Sequence, residues 1–144
     1  MKVSEIKVSY SNTEGKKIKV NNSDTAMQVA LSHWDMSIIE YQEEVKVILM
    51  NRANVVLGIY ELSKGGSSGS VVDIKIILSV ALKTHSSSII IVHNHPSGNL
   101  QPSETDKRLT KRLKSACEVV DLVLLDHLIV TKESFYSFKD NDLL

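Results

Sequence analysis

Two histidines stand where a strongly apolar run gives way to a turn. Residues 89–92 are Ile-Ile-Ile-Val, and His93, Asn94 and His95 follow them directly, before Pro96-Ser97-Gly98. A β-strand directs alternate side chains to one face, so His93 and His95 point together while Asn94 points away. Ligand sites in open α/β sheets gather beyond the carboxyl ends of strands, and this pair lies at such an end.

A carboxylate completes a set of three metal-binding side chains. Ser103 is placed to begin a helix, whose first turn returns Asp106 towards the same strand end. Two imidazoles and one carboxylate form a common zinc set, and three protein ligands leave a fourth position for water. Structural zinc sites are mostly closed by four ligands rich in sulfur, but this chain has one cysteine, Cys117. The pattern therefore predicts a catalytic-type zinc site, in which the ion lowers the pKa of water to roughly 7.

Each part of this pattern also has a structural interpretation. Histidines beside a Pro-Gly turn can be hydrogen-bonded loop residues, and Ser103-x-x-Asp106 has the form of a helix N-terminal cap. His127 is interpreted first as a satisfied structural histidine and second as a partner of a metal ligand, and Cys117 as part of an apolar helix face. The co-occurrence of the three candidate ligands on one strand-turn-helix favours the metal site.

The elements that must hold these residues follow from hydrophobic periodicity. A Gly/Ser-rich segment over residues 64–70 predicts a mobile loop. The predicted helices run from Ser23 to about His33, from Asp73 to near His85 and from Ser103, and the predicted strands cover residues 45–50, 55–60, 88–92, 122–125, 128–131 and 135–138. Strands that alternate with helices and then follow one another indicate a single α/β domain, with a mixed β-sheet flanked by helices.

The spacing His93-x-His95-x7-Ser103-x2-Asp106 resembles the metal-binding signature of the JAB/MPN (JAMM) metalloprotease domains. The wider string His-Asn-His-Pro-Ser-Gly, with Leu-Leu-Asp-His-Leu-Ile-Val at 124–130, resembles more narrowly the RadC family of bacterial proteins, and the resemblance covers about residues 40–138. It implies a JAB/MPN (cytidine-deaminase-like) fold in a RadC-like metal domain over residues 23–144, preceded by a strand-like arm over residues 1–22.

The resemblance also implies catalytic roles. In JAMM domains a glutamate just before a strand acts as general acid/base, and the pattern falls on Glu44, with Glu43 as the adjacent competitor and Glu40 more distant. The family's serine, here Ser103, would donate a hydrogen bond to the developing oxyanion. The implied activity is zinc-dependent hydrolysis of a peptide or isopeptide bond.

Composition sets the expectations on compartment and partners. A chain of 144 residues, 42% of them hydrophobic, can bury one continuous core. Its 17 basic residues balance 17 acidic ones, so the overall charge attracts neither nucleic acid nor anionic lipid. A single cysteine and the absence of an apolar signal segment or of a run near 20 apolar residues predict a cytoplasmic protein.

Two other functions stay open beside a hydrolase that acts on a peptide or protein. One is a non-catalytic DNA-repair-associated module, since RadC proteins carry that label. The other is a metal-dependent nuclease, because activated water also attacks phosphodiesters. A basic run in the last helix is interpreted first as a solvated face and second as a nucleic-acid contact, because no aromatic residues interleave with it. The run comprises Lys107, Arg108, Lys111, Arg112 and Lys114.

Overall fold

A computed structural model describes residues 1–12, 15–66 and 71–144 of the chain. Most of the predicted mobile loop, residues 67–70, lies outside these described residues. The elements in chain order are α1 (Ser23–Leu31), β1 (Glu44–Met50), β2 (Val56–Lys64), α2 (Ile74–Lys83), β3 (Ser88–Asn94), α3 (Glu104–Val119), β4 (Val123–Val130) and β5 (Phe135–Ser137). This alternation confirms the predicted α/β class.

Each helix begins at a polar side chain that accepts a backbone hydrogen bond. Asn22 caps α1, Asp73 caps α2 and Ser103 caps α3. These caps satisfy N–H groups that have no partner inside the helix, and they place all three helix starts close to the predicted positions. Among the described residues, no helix combines the length and the apolar character needed to cross a bilayer.

The strands form one mixed sheet in the order β2-β1-β3-β4-β5. Strands β3 and β4 are parallel, and the other neighbours are antiparallel. Because α3 connects the two parallel strands, β3 ends and α3 begins at the same edge of the sheet. The candidate metal ligands lie at that edge.

The sheet separates two hydrophobic layers. On one face α1 contributes Ala26, Val29 and Ala30, which pack with Ile48, Met50, Ile90, Val92, Leu128 and Val130. On the other face α2 and α3 contribute Ile77, Ala81, Leu113 and Cys117, which pack with Val45, Val47, Leu49, Ile89 and Ile91. Since β3 is covered on both faces, its apolar run is continuous, as predicted. Cys117 belongs to the apolar face of α3, as predicted.

One prediction about the strands is wrong, because β4 is a single strand where the pattern suggests two. Asp126 and His127 interrupt the apolar run, yet both are buried within β4. The Asp126 carboxylate accepts hydrogen bonds from the Ser137 hydroxyl at 2.6 Å and from the backbone N–H groups of His127 and Lys139 at 2.7 and 3.0 Å. Buried polar side chains with internal partners do not end a strand.

The described part of the N-terminal arm is exposed except for Val20, which is buried in the core, and it carries no named helix or strand before α1. The Tyr10 hydroxyl donates to the Leu57 carbonyl of β2 at 2.7 Å, and Lys19 forms an isolated antiparallel bridge with Val55. The strand character predicted for the arm is therefore limited to that bridge within residues 1–12 and 15–22.

Candidate metal centre

Three candidate ligands meet where β3 ends and α3 begins. His93 lies in β3, His95 follows the strand, and Asp106 lies in the first turn of α3. Nε2 of His93 is 2.9 Å from Nε2 of His95, and Oδ2 of Asp106 is 3.5 and 3.3 Å from those nitrogens. The residues singled out by their spacing are thus together in space.

The separations of these three atoms suit a zinc ion. Ligand atoms at about 2.0–2.1 Å from a tetrahedral zinc lie about 3.3–3.4 Å from one another. The observed range of 2.9–3.5 Å brackets that value. The group could therefore hold a metal ion with only small side-chain adjustments.

Hydrogen-bond direction shows which nitrogen of His95 carries the proton when the ring is neutral. Nδ1 of His95 is 2.5 Å from the carbonyl oxygen of Asn99. A carbonyl oxygen only accepts, so Nδ1 carries the proton and donates it. In the neutral ring Nε2 then presents a bare lone pair to the cluster.

A buried chain of hydrogen bonds fixes the tautomer of His93. The Thr110 hydroxyl donates to the Asp106 carbonyl oxygen at 2.8 Å. The same hydroxyl oxygen therefore accepts from Nδ1–H of His127 at 2.7 Å. This leaves Nε2 of His127 as an acceptor for Nδ1–H of His93 at 2.8 Å. The Nε2 of neutral His93 consequently faces the cluster without a proton.

His127 is the site residue whose importance the sequence pattern understates. It is 0% exposed, and its ring stacks on Phe138 with centroids 4.3 Å apart. Burial holds the pKa of His127 well below its ordinary value, so the ring is neutral and can donate from one nitrogen and accept at the other. The structural interpretation is incomplete, because His127 also contacts the candidate ligand His93.

Asp106 serves the helix and the cluster at once. Its Oδ2 accepts the backbone N–H of Ser103 at 2.9 Å, while Oγ of Ser103 accepts the N–H of Asp106 at 3.0 Å. Burial by itself raises the pKa of Asp106, but the hydrogen bonds that His93 and His95 donate when Nε2 carries a proton hold it well below the usual range. The helix-cap and ligand interpretations of Asp106 are therefore compatible, and an ionised carboxylate facing two lone pairs favours a cation between them.

The glutamate beside the cluster is Glu43, whereas Glu44, the general acid/base that the resemblance implies, lies on the other face of β1. Strands β1 and β3 pair with Val45 opposite His93, so Glu43 lies on the face of His93 and Glu44 on the opposite face. Glu44 is 1% exposed, and its Oε1 lies 3.6 Å from Nζ of Lys64. The sequence of two adjacent glutamates before a strand does not show which of them lies on the face of the histidines, because that depends on how β1 pairs with β3.

Asn94 fixes the segment that carries Glu43. Its Oδ1 accepts the Glu44 N–H at 2.7 Å, and its Nδ2 donates to the carbonyls of Ile39 and Gln42 at 2.7 and 2.9 Å. These three bonds tie the chain before β1 to the end of β3. Asn94 points away from the two histidines, as predicted, and it positions Glu43 by holding the neighbouring backbone.

Glu43 is half-buried and lines a cleft of about 270 Å³ together with His93 and Asp106. Burial raises the pKa of the Glu43 carboxyl, and His93 and His95 partly offset this rise when they are protonated. Ser103 is exposed and is not among the described residues that line this cleft. The structure therefore brings Glu43 to the candidate ligands and leaves Ser103 at the cap of α3.

Comparison with known proteins places this arrangement in a family. Residues 20–143 match the family model described as RadC-like JAB domain. Three relatives named as UPF0758 proteins come from Flavobacterium johnsoniae (43% identical over 101 residues), Streptococcus sanguinis (44% over 99) and Clostridium beijerinckii (41% over 103). The alignments cover 69–72% of this chain and 44–45% of each relative, so the chain spans less than half of their length. The chain belongs to the RadC-like JAB domain family.

Proposed function

We propose that this chain is a zinc-dependent hydrolase that cleaves a peptide or isopeptide bond. The observation that carries the proposal is the convergence of two imidazole lone pairs and one ionised carboxylate at 2.9–3.5 Å. Three protein ligands suit a catalytic rather than a structural zinc site. A bound zinc ion supplies Lewis acidity, which polarises a carbonyl and activates water near neutral pH.

Glu43 is the proton carrier in this proposal. Its carboxylate accepts a proton from the attacking water and delivers it to the leaving nitrogen. The pKa of Glu43, raised by burial, lies closer to neutral pH, which favours both transfers. In the cap of α3 the Ser103 hydroxyl oxygen accepts a hydrogen bond from the backbone N–H of Asp106. Its hydroxyl proton is therefore available, and we assign to Ser103 the role of donating a hydrogen bond to the developing oxyanion.

Variants of the two adjacent glutamates test the proposal. Zinc-loaded Glu43→Gln should keep its zinc and lose about 10²–10⁴-fold in turnover, whereas Glu44→Gln should keep both. Turnover is followed by mass spectrometry on linear and isopeptide-linked peptides, with plasmid DNA as a second substrate. Equal losses in the two variants would contradict the role of Glu43. Cleavage of DNA alone would favour a nuclease, and stoichiometric zinc without turnover on either substrate would favour a non-catalytic module.

A further inference from the structure

Helix α3 directs two arginines at the cleft beside the metal cluster. Arg108 and Arg112 are four residues apart, which places them on one face of the helix, and both line the cleft that contains Glu43, His93 and Asp106. The other basic residues of the helix, Lys107, Lys111 and Lys114, are not among its described lining residues. The basic run therefore divides into a part that borders the cleft and a part that does not.

Most N–H donors of the two guanidinium groups have no partner among the described residues. Among the described residues, neither Arg108 nor Arg112 forms an ion pair with a carboxylate, whereas Lys107 on the same helix pairs with Glu104 at 3.4 Å. Arg108 donates one long hydrogen bond, to Oγ1 of Thr105 at 3.4 Å. Each guanidinium carries five N–H donors, so most of this capacity remains available to a ligand.

The rest of the cleft wall limits what that ligand can be. Val45, Val72, Ile91 and Leu109 line the same cleft. A ligand that fills the cleft therefore presents aliphatic surface to these residues and negative charge to the arginines. An aspartate or glutamate side chain of a peptide offers both, because its carboxylate matches the planar guanidinium fork. A nucleotide base would require a stacking partner, and none of the described lining residues is Phe, Tyr or Trp.

We propose that Arg108 and Arg112 form a subsite for an acidic side chain close to the scissile bond, so that the preferred substrates are acidic peptide segments. This role in specificity rests on the proposed peptide hydrolysis. Binding of an acidic peptide to the cleft can be measured without turnover, which separates the two proposals.

The experiment begins with the zinc-loaded full chain and a pool of defined peptides, and the cleaved bonds are mapped by mass spectrometry. The best substrate is then made as a matched pair that differs only by Glu or Gln at the preferred acidic position. We expect kcat/KM to be about tenfold or more higher for the Glu peptide. In the double variant Arg108→Gln/Arg112→Gln this ratio should fall towards one. In Arg52→Gln, which alters an exposed arginine in the β1–β2 turn, the ratio should stay as in the wild type.

The same comparison can be made by binding alone. Acetyl-Ala-Glu-Ala-amide and acetyl-Ala-Gln-Ala-amide are titrated into the zinc-loaded chain and followed by NMR. Selective binding of the Glu peptide that is lost in the double variant supports the subsite, whether or not any peptide is cleaved. Absence of cleavage would contradict only the proposed hydrolysis. Equal kcat/KM or equal binding for the Glu and Gln peptides overturns the inference. Tighter binding of a dinucleotide than of the Glu peptide overturns the choice of a peptide ligand.

Discussion

Replacing Thr110 with valine tests the hydrogen-bond chain that orients His93. The two side chains have nearly the same shape, but valine neither accepts from His127 nor donates to the Asp106 carbonyl. Without that acceptor, the proton of His127 can move from Nδ1 to Nε2 and donate to Nδ1 of His93. His93 then carries its own proton on Nε2, the nitrogen that faces the cluster, and zinc must displace it.

The size of the effect on zinc affinity follows from the loss of the acceptor for Nδ1–H of His127. A buried polar group left without a partner costs about 1–3 kcal/mol, which bounds the preference for the zinc-competent tautomer. At about 1.4 kcal/mol for each factor of ten, zinc affinity should fall by about 5- to 150-fold. This range overlaps the loss of roughly 10- to 100-fold that is typical when a partner of a metal ligand is removed.

Two independent assays test this chain of hydrogen bonds. Nitrogen-15 shifts of the histidine rings in the metal-free protein give the tautomer of His93, and chelator competition gives the zinc Kd. Thr110→Ser restores a hydroxyl and should recover both values. Thr84→Val removes a hydroxyl that donates to the Val80 carbonyl in α2 at 2.9 Å, and should change neither. A Thr110→Val protein with an unchanged His93 tautomer and unchanged zinc affinity would refute the reasoning.

Three further predictions concern pH, packing and thiol reactivity. The hydrogen bond with Asp106 raises the pKa of His95 above 6.5 in the folded protein. Protonated His95 therefore stabilises the metal-free fold, fully below pH 6.5, and this contribution is lost as the pH rises through the pKa of His95 in the folded protein. Zinc needs that nitrogen without a proton, so chelator competition should show affinity falling about tenfold per pH unit below the folded pKa. Leu113→Ala, at a buried position, should lower the free energy of unfolding of the metal-free protein by about 2–5 kcal/mol in a urea titration. Val119→Ala, on the same helix but 83% exposed, should change it by less than about 0.5 kcal/mol. Burial raises the pKa of the Cys117 thiol to about 11, so a thiol reagent should react with it only as the protein unfolds, and rapid reaction of the native protein would contradict the packing of α3.

The features that local spacing determines are the ones that the sequence predicts well. His93 and His95 share a face because a strand alternates, and Asp106 returns to them because Ser103 caps the helix on which it lies. The apolar run over residues 89–92 identifies a strand that is covered on both faces. These inferences need no knowledge of which strands are neighbours.

The features that depend on pairing between strands cannot be derived from the local sequence alone. Choosing between Glu43 and Glu44 requires the register of β1 against β3, since one step along a strand moves a side chain to the other face. The role of His127 requires β4 to lie beside β3, which places His127 opposite Ile91, close to His93. The polar pair Asp126-His127 suggested a break in β4 because its partners, Ser137 and Thr110, lie in other elements.

X-ray absorption of the zinc-loaded chain tests the central claim most directly. The three converging atoms predict one zinc per chain, with nitrogen and oxygen neighbours at about 2.0–2.2 Å, among them two imidazoles, and an occupancy that is lost in Asp106→Ala. A sulfur neighbour at about 2.3 Å would move the ion to Cys117. Either that sulfur or a chain that binds no stoichiometric zinc would contradict the account.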